Sequence, residues 1–95
     1  MSNYIARVEL HSADLDDYET LHSAMLQRGY VRTIVGSDGF TYNLPTGTYV
    51  VRDTNITVEV ALDRVIEAAN ATGKRNSSIV AEWSVAMWRS LPPSS

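Results

Sequence analysis

The feature that most constrains this chain is the spacing of its apolar residues, which changes between a strand period and a helix period in a regular order. Apolar and polar residues alternate over residues 5–11, which is typical of a strand with one buried face. Apolar residues then recur three and four positions apart over residues 15–26, as in an amphipathic helix. Because this succession occurs twice, the sequence predicts two strand–helix–strand halves.

Both predicted helices have residues suited to their ends. Ser12 or Asp14 can cap the first helix, and Gly29 supplies a left-handed stop after it. Asn55 or Thr57 can cap the second helix. The predicted buried faces are Leu15, Tyr18, Leu21, Met25 and Leu26 in the first helix, and Val58, Ala61, Leu62, Val65, Ala68 and Ala69 in the second.

Three further segments, residues 30–35, 48–52 and 78–88, are predicted to form strands because they are rich in β-branched and aromatic residues. Residues 36–39 form a turn cluster, and residues 40–42 a short extension after it. The order β-α-β-β-α-β predicts the α+β class and a ferredoxin-like plait, with a four-stranded antiparallel sheet of order 4-1-3-2 and two helices on one face. We expect one domain over residues 1–91 and a disordered tail over residues 92–95.

The composition excludes several classes of protein. The chain has 95 residues and no cysteine, so it is not a disulfide scaffold and has no thiolate zinc site or cysteine nucleophile. Its N-terminus lacks a positively charged leader, and its apolar stretches are far shorter than the roughly 20 residues that cross a bilayer. We therefore expect a cytoplasmic protein without a membrane partner.

The formal net charge of −3 argues against coating of nucleic acid by bulk electrostatics, so DNA is not an expected partner. The sequence contains no GxGxxG, phosphate-loop or HExxH motif, and we expect no cofactor and no metal. The alternative is that His11, Asp14 and Asp38 meet at one end of the sheet and hold a magnesium-like ion.

A local basic edge is nevertheless predicted from the topology. Four arginines fall at the ends of elements that meet at one end of a plait, near the amino end of the second helix: Arg28, Arg32, Arg52 and Arg89. Guanidinium groups suit phosphate contacts, so these are the candidate RNA-binding residues. The alternative is that they cap helix ends and pair with surface carboxylates.

Two histidines are the candidates for catalysis. RNA cleavage without a metal needs a base for the 2′-hydroxyl proton, an acid for the leaving oxygen and a cation for the phosphorane, and histidine titrates near neutral pH. His22 borders the apolar stripe of the first helix, and His11 ends the first strand on the open face. The plainer alternatives are a core-flanking histidine and a surface histidine.

Several runs of sequence resemble a family of small bacterial proteins. They are YIARVELHSADLDDYETLHSAM, RGYVRTI, GSDGFTYNLPTGTYVV and ATGKRNSSIVAEWSVAMW, and they cover most of the chain. The family is grouped with GhoS, the antitoxin of type V toxin–antitoxin systems. The resemblance implies a ferredoxin-like fold similar to that of Cas2 nucleases. It also implies an endoribonuclease that destroys the messenger RNA of a small membrane-damaging toxin, with RNA as its partner, but it assigns no catalytic residue.

Other classes of function stay open. Plaits often associate through edge strands or open sheet faces, so a non-catalytic association or regulatory module, such as a homodimer, is the main alternative. Binding of a small ligand by the open face is another. Trp83 and Trp88 are interpreted as packing groups, but an exposed Trp88 beside Arg89 would mark a partner or base-stacking surface.

Overall fold

Seven helices and strands follow one another in residues 1–94, which are the residues that the computed structural model describes. In chain order they are β1 (Ser2–Leu10), α1 (Leu15–Gln27), β2 (Thr33–Val35), β3 (Thr41–Asn43), β4 (Thr48–Thr54), α2 (Val58–Asn70) and β5 (Asn76–Glu82). The mixture of two helices with antiparallel strands confirms the predicted α+β class. Across these residues, neither helix has the length and apolar character needed to cross a lipid bilayer.

The main sheet has three strands in the order β4-β1-β5, and β1 is antiparallel to both neighbours. Ala6 in the centre of β1 pairs with Tyr49 on one side and with Val80 on the other. The buried residues of β1 are Tyr4, Ala6, Val8 and Leu10, whereas Arg7 and Glu9 are exposed. The predicted alternation of β1 is therefore confirmed.

Both helices contribute to one hydrophobic core on the buried face of this sheet. The core unites side chains from the sheet, from both helices and from the chain after α1: Ala6, Val8, Leu10, Leu21, Ala24, Met25, Tyr30, Tyr49, Val65, Ala68 and Ala69. Leu15 and Leu26 lie outside it, with 83% and 63% of their surfaces exposed. The predicted stripe of α1 is thus only partly a core face.

The helix ends follow the sequence signals. Asp14, rather than Ser12, caps α1: its Oδ1 accepts from the backbone N–H of Asp17, and the Asp17 carboxylate accepts from the Asp14 N–H, both at 3.0 Å. Thr57 caps α2 and accepts from the N–H of Val60 at 3.2 Å. Gly29 follows α1 with φ +87°, as a left-handed stop requires.

The predicted single four-stranded sheet is wrong. Only Val31, before β2, bridges Val50 of β4, through two backbone hydrogen bonds of 2.9 Å. Residues 33–35 pair instead with β3 in a separate two-stranded sheet. The reason is local: residues 36–40 form a tight turn, in which the N–H of Gly36 donates to the carbonyl of Phe40 at 2.8 Å. Closing so short a loop costs little entropy, which favours the hairpin of β2 and β3.

The last strand ends at Glu82, six residues before the predicted end at Trp88. Its pairing with β1 ends at the pair of Glu82 with Tyr4, and one further hydrogen bond joins the N–H of Trp83 to the carbonyl of Asn3 at 2.9 Å. The chain then crosses towards the β2–β3 hairpin. Residues 92–94, which the sequence predicts as part of a disordered tail, lie against β3: the N–H of Asn43 donates to the carbonyl of Pro92, and that of Ser94 to the carbonyl of Thr41, both at 2.9 Å.

Candidate functional site

His22 lies on α1 where the helix faces the main sheet, half-buried between two tyrosines. Its Nδ1 is 2.5 Å from the hydroxyl oxygen of Tyr49, a fully buried residue of β4. The ring centroids of His22 and Tyr49 are 5.7 Å apart, and Tyr18 stands on the other side at 6.4 Å. The contact with Tyr49 fixes the orientation of the imidazole and leaves Nε2 as the nitrogen available to a ligand.

The surroundings favour the uncharged imidazole. Burial, together with the positive charge of Arg32, lowers the pKa of His22 below its ordinary value of 6.5, and Glu19 opposes this only in part. Burial also raises the pKa of the Tyr49 hydroxyl well above its usual range. At neutral pH the pair is therefore a neutral imidazole held by a protonated phenol.

A pocket of about 240 Å³ opens beside this imidazole. Its wall comes from the second half of α1 and from the chain that follows: His22, Ser23, Leu26, Tyr30, Val31 and Arg32. The guanidinium of Arg32 is on an exposed residue, so its charge is accessible to an anion. A neutral base and a cation at one small pocket can act together on a phosphodiester.

The four arginines that the topology predicts at one edge do not form one cluster in the structure. Arg28 is engaged within the protein: its guanidinium donates to the carbonyl of Ala24 at 2.9 Å and lies 3.5 Å from the Glu67 carboxylate. Arg52 lies over the ring of Trp83 and lines a second pocket. Arg89 is exposed in the irregular chain after β5. Arg32 alone of the four lines the pocket of His22.

The second candidate histidine, His11, is placed apart from His22. It is exposed just after β1, where its Nε2 lies 3.1 Å from the hydroxyl of Ser77 and 4.0 Å from the Glu9 carboxylate. In the part of the chain that the structure describes, it shares neither a pocket nor a hydrogen bond with His22. The two histidines thus do not form an acid–base pair.

The residues of the alternative metal site are engaged elsewhere. Asp14 caps α1, and Asp38 lies in the β2–β3 turn, where it accepts from the hydroxyl of Tyr42 at 2.6 Å and from the N–H of Phe40 at 3.0 Å. Over residues 1–94, no group of three or more metal-binding side chains comes together.

The second pocket, of about 340 Å³, lies between the β2–β3 hairpin and residues 83–88. Its lining includes Asp38, Tyr42, Arg52, Trp83 and Trp88. Arg52 and the tryptophans are candidates in the sequence for separate reasons, and no sequence signal indicates that they are neighbours. Asp38 and Tyr42 are missed as neighbours of the tryptophans, because the path of the chain after β5 has no periodic signal that would reveal it.

Comparison with known proteins adds no further constraint on this site. No protein-family model matches the chain, and no curated protein matches it significantly.

Proposed function

We propose that this protein is a metal-independent endoribonuclease that cleaves single-stranded RNA at the pocket of His22 and Arg32. The observation that carries the proposal is the contact of His22 with Tyr49, which orients an imidazole that stays neutral near pH 7 beside an accessible guanidinium. A neutral imidazole is a proton acceptor, and a fixed cation stabilises the negative charge of a phosphorane.

The chemistry requires few groups. When Nδ1 carries the ring hydrogen and donates it to the Tyr49 oxygen, the Nε2 lone pair is free to take the proton of a ribose 2′-hydroxyl. The 2′-oxygen then attacks the adjacent phosphorus, and the bond to the 5′-oxygen breaks. A 2′,3′-cyclic phosphate and a 5′-hydroxyl result. Arg32 stabilises the charge on the phosphoryl oxygens during this step, and the imidazolium returns its proton to the leaving oxygen.

The natural substrate that the resemblance to GhoS-like antitoxins favours is the transcript of a small membrane-damaging toxin, met in the cytoplasm. The relation to ferredoxin-like plaits belongs to the same proposal. It is supported by the positions of β5, β1 and β4, which follow the 4-1-3 part of the predicted order, and by the bridge from Val31 to Val50.

The test is cleavage of a short single-stranded RNA by the purified protein in the presence of a chelator of divalent cations. We expect His22→Asn to slow cleavage by roughly 10²–10⁴-fold and Arg32→Gln by roughly 10²–10³-fold. His11→Asn is the matched control and should cleave as the wild type does. The DNA of the same sequence, which lacks the attacking hydroxyl, should stay intact.

Cleavage at the wild-type rate by His22→Asn would refute the assignment of the base. Cleavage that stops in the chelator would refute the metal-free mechanism.

A second candidate function, self-association, is favoured by the outer edge of β5. In residues 1–94 this edge pairs with no other strand, and Ile79 at the strand centre is 65% exposed. The seven residues of β5 contain no proline and only one charged residue, Glu82, so the edge lacks most of the features that prevent pairing between chains. Two copies would then extend the sheet by antiparallel pairing of their β5 strands.

Light scattering over a range of concentrations tests this association. A dimer that Ile79→Lys converts to a monomer would support it, because a charge at the centre of the edge opposes pairing. Thr20→Lys on the exposed face of α1 is the control for added charge. A monomer at every concentration would contradict the proposal.

A further inference from the structure

Both tryptophans of the chain lie at one pocket, together with a tyrosine, an arginine and a carboxylate. The volume of about 340 Å³ is at the lower end of the range of small-ligand sites in proteins. This pocket is separate from that of His22, since the two have no lining residue in common. The proposed cleavage chemistry makes no use of it.

The aromatic side of the pocket is closely packed. The rings of Tyr42 and Trp88 stand 5.6 Å apart at an angle of 55°. A Cβ atom at Gly36 would come within 3.2 Å of each ring and 2.7 Å from Oδ1 of Asp38. Glycine at this position therefore lets the two rings and the carboxylate approach the hairpin backbone together. Flat aromatic surfaces of this kind stack with nucleobases.

The polar side combines a cation with an anion. The guanidinium of Arg52 lies 5.8 Å from the ring centroid of Trp83. Hydrogen bonds from Tyr42 and from the N–H of Phe40 lower the pKa of Asp38, so this carboxylate is ionised at neutral pH and only accepts. Each of its oxygens receives one of these bonds, which leaves further acceptor positions on both.

Trp83, which lines this pocket, has a hydrogen-bond donor that lacks an acceptor in the described residues. Its indole Nε1–H is buried and has no partner in the described part of the chain, and an unsatisfied buried donor is unfavourable. This donor belongs to a residue that lines the pocket.

We propose that the pocket of Asp38, Arg52 and the two tryptophans binds a guanine base, presented by single-stranded RNA or by a free guanine nucleotide. Guanine offers a flat ring for stacking, two adjacent N–H donors for the carboxylate and a carbonyl oxygen as an acceptor. On the corresponding edge, adenine has one donor, its amino group, and its ring N1 is an acceptor that the carboxylate repels. The attached phosphate supplies the negative charge that Arg52 can bind.

Tryptophan fluorescence is a specific reporter, since both indoles of the chain line this pocket. We expect GMP to change the emission saturably and AMP to bind about tenfold more weakly. His22→Asn protein, which keeps the pocket intact, allows the same titration with uridine oligonucleotides that contain one guanosine or one adenosine. An RNA site will bind the guanosine oligonucleotide more tightly than GMP, and a nucleotide site will bind both equally.

Conservative variants identify the groups involved. Asp38→Asn keeps one acceptor oxygen, which can still receive the N–H of Phe40, while its NH2 group can donate to the Tyr42 hydroxyl. It offers an N–H where guanine needs a second acceptor, so it should abolish the preference for GMP over AMP. Arg52→Gln should weaken GMP binding by about tenfold. Arg64→Gln on the exposed surface of α2, which does not line the pocket, is the matched control. Far-UV circular dichroism of each variant reports folding.

Equal binding of GMP and AMP by the wild type, or no response to any of these probes, would overturn the proposal. So would an unchanged preference in folded Asp38→Asn. These outcomes do not depend on RNA cleavage, so the guanine site and the nuclease proposal fail or succeed separately.

Discussion

The orientation of the His22 imidazole is fixed by Tyr49, whose hydroxyl is the partner of its Nδ1. The position of His22 at the border of an apolar helix stripe is visible in the sequence, but this partner is not, because 27 residues separate the two and the packing of α1 on β4 decides the contact. The sequence of β4 does not reveal it either, since Tyr49 and Val50 are adjacent apolar residues and both are buried. The sequence therefore predicts which histidine is half-buried but not what holds it.

The lowered pKa of His22 makes a prediction about stability. Protonation is easier in the unfolded chain, where the pKa is near 6.5, than in the folded protein, where burial and Arg32 lower it. The unfolded state thus binds more protons as the pH falls through 6.5, and the folded state loses stability in that window. His22→Asn should reduce this loss.

Urea unfolding between about pH 8 and pH 5 measures the effect. The wild type should lose more stability on acidification than His22→Asn does, and His11→Asn controls for the removal of an exposed histidine. Equal pH dependence of wild type and His22→Asn would show that the folded protein does not disfavour the imidazolium.

The elements of this protein differ in how well the sequence predicts them. β1, α1 and α2 are predicted because their apolar periods and their caps, Asp14 and Thr57, are local signals. Residues 30–35 are predicted as one strand but divide between two partners, which no local propensity reveals. The final strand is predicted too long, because residues 83–88 are also rich in apolar and aromatic side chains but pack beside the β2–β3 hairpin instead of β1.

The turn between β3 and β4 makes a prediction at the scale of an element. Gly47 has φ +86°, its carbonyl accepts from the N–H of Val8 at 2.7 Å, and an added Cβ would lie 2.5 Å from the Val8 carbonyl oxygen. Gly47→Ala should therefore incur both backbone strain and a clash with β1. We expect it to lower the free energy of unfolding by roughly 3 kcal/mol or more.

Gly39→Ala is the matched control for this variant. Gly39 has φ +84°, but an added Cβ there would meet no atom within 4 Å, so only the strain of about 1 kcal/mol applies. Urea unfolding of both variants gives the comparison. Equal losses would show that the close approach of the turn to β1 does not contribute to stability.

Over the whole molecule, the arginines that a phosphate chain could contact lie at separate sites and do not form one basic surface. The net charge is −3 and Arg28 is paired with Glu67, whereas Arg32 and Arg52 each line a pocket. Val31 and Arg32 border the pocket of His22, and Ile34 and Val35 border that of the tryptophans. One short segment, residues 31–35, thus contributes to both pockets.

The division of the strands into two sheets also has a consequence for motion. In residues 1–94, one bridge at Val31 joins the β2–β3 hairpin to the main sheet, and backbone hydrogen bonds join the hairpin to residues 92–94. By contrast, β1 is hydrogen-bonded along both of its edges. Few backbone hydrogen bonds hold the hairpin to the main sheet, so its amides are expected to exchange with solvent before those of β1 do. The pocket of the two tryptophans, one wall of which is this hairpin, therefore lies where local opening requires the loss of few hydrogen bonds, while β1 stays paired along both edges.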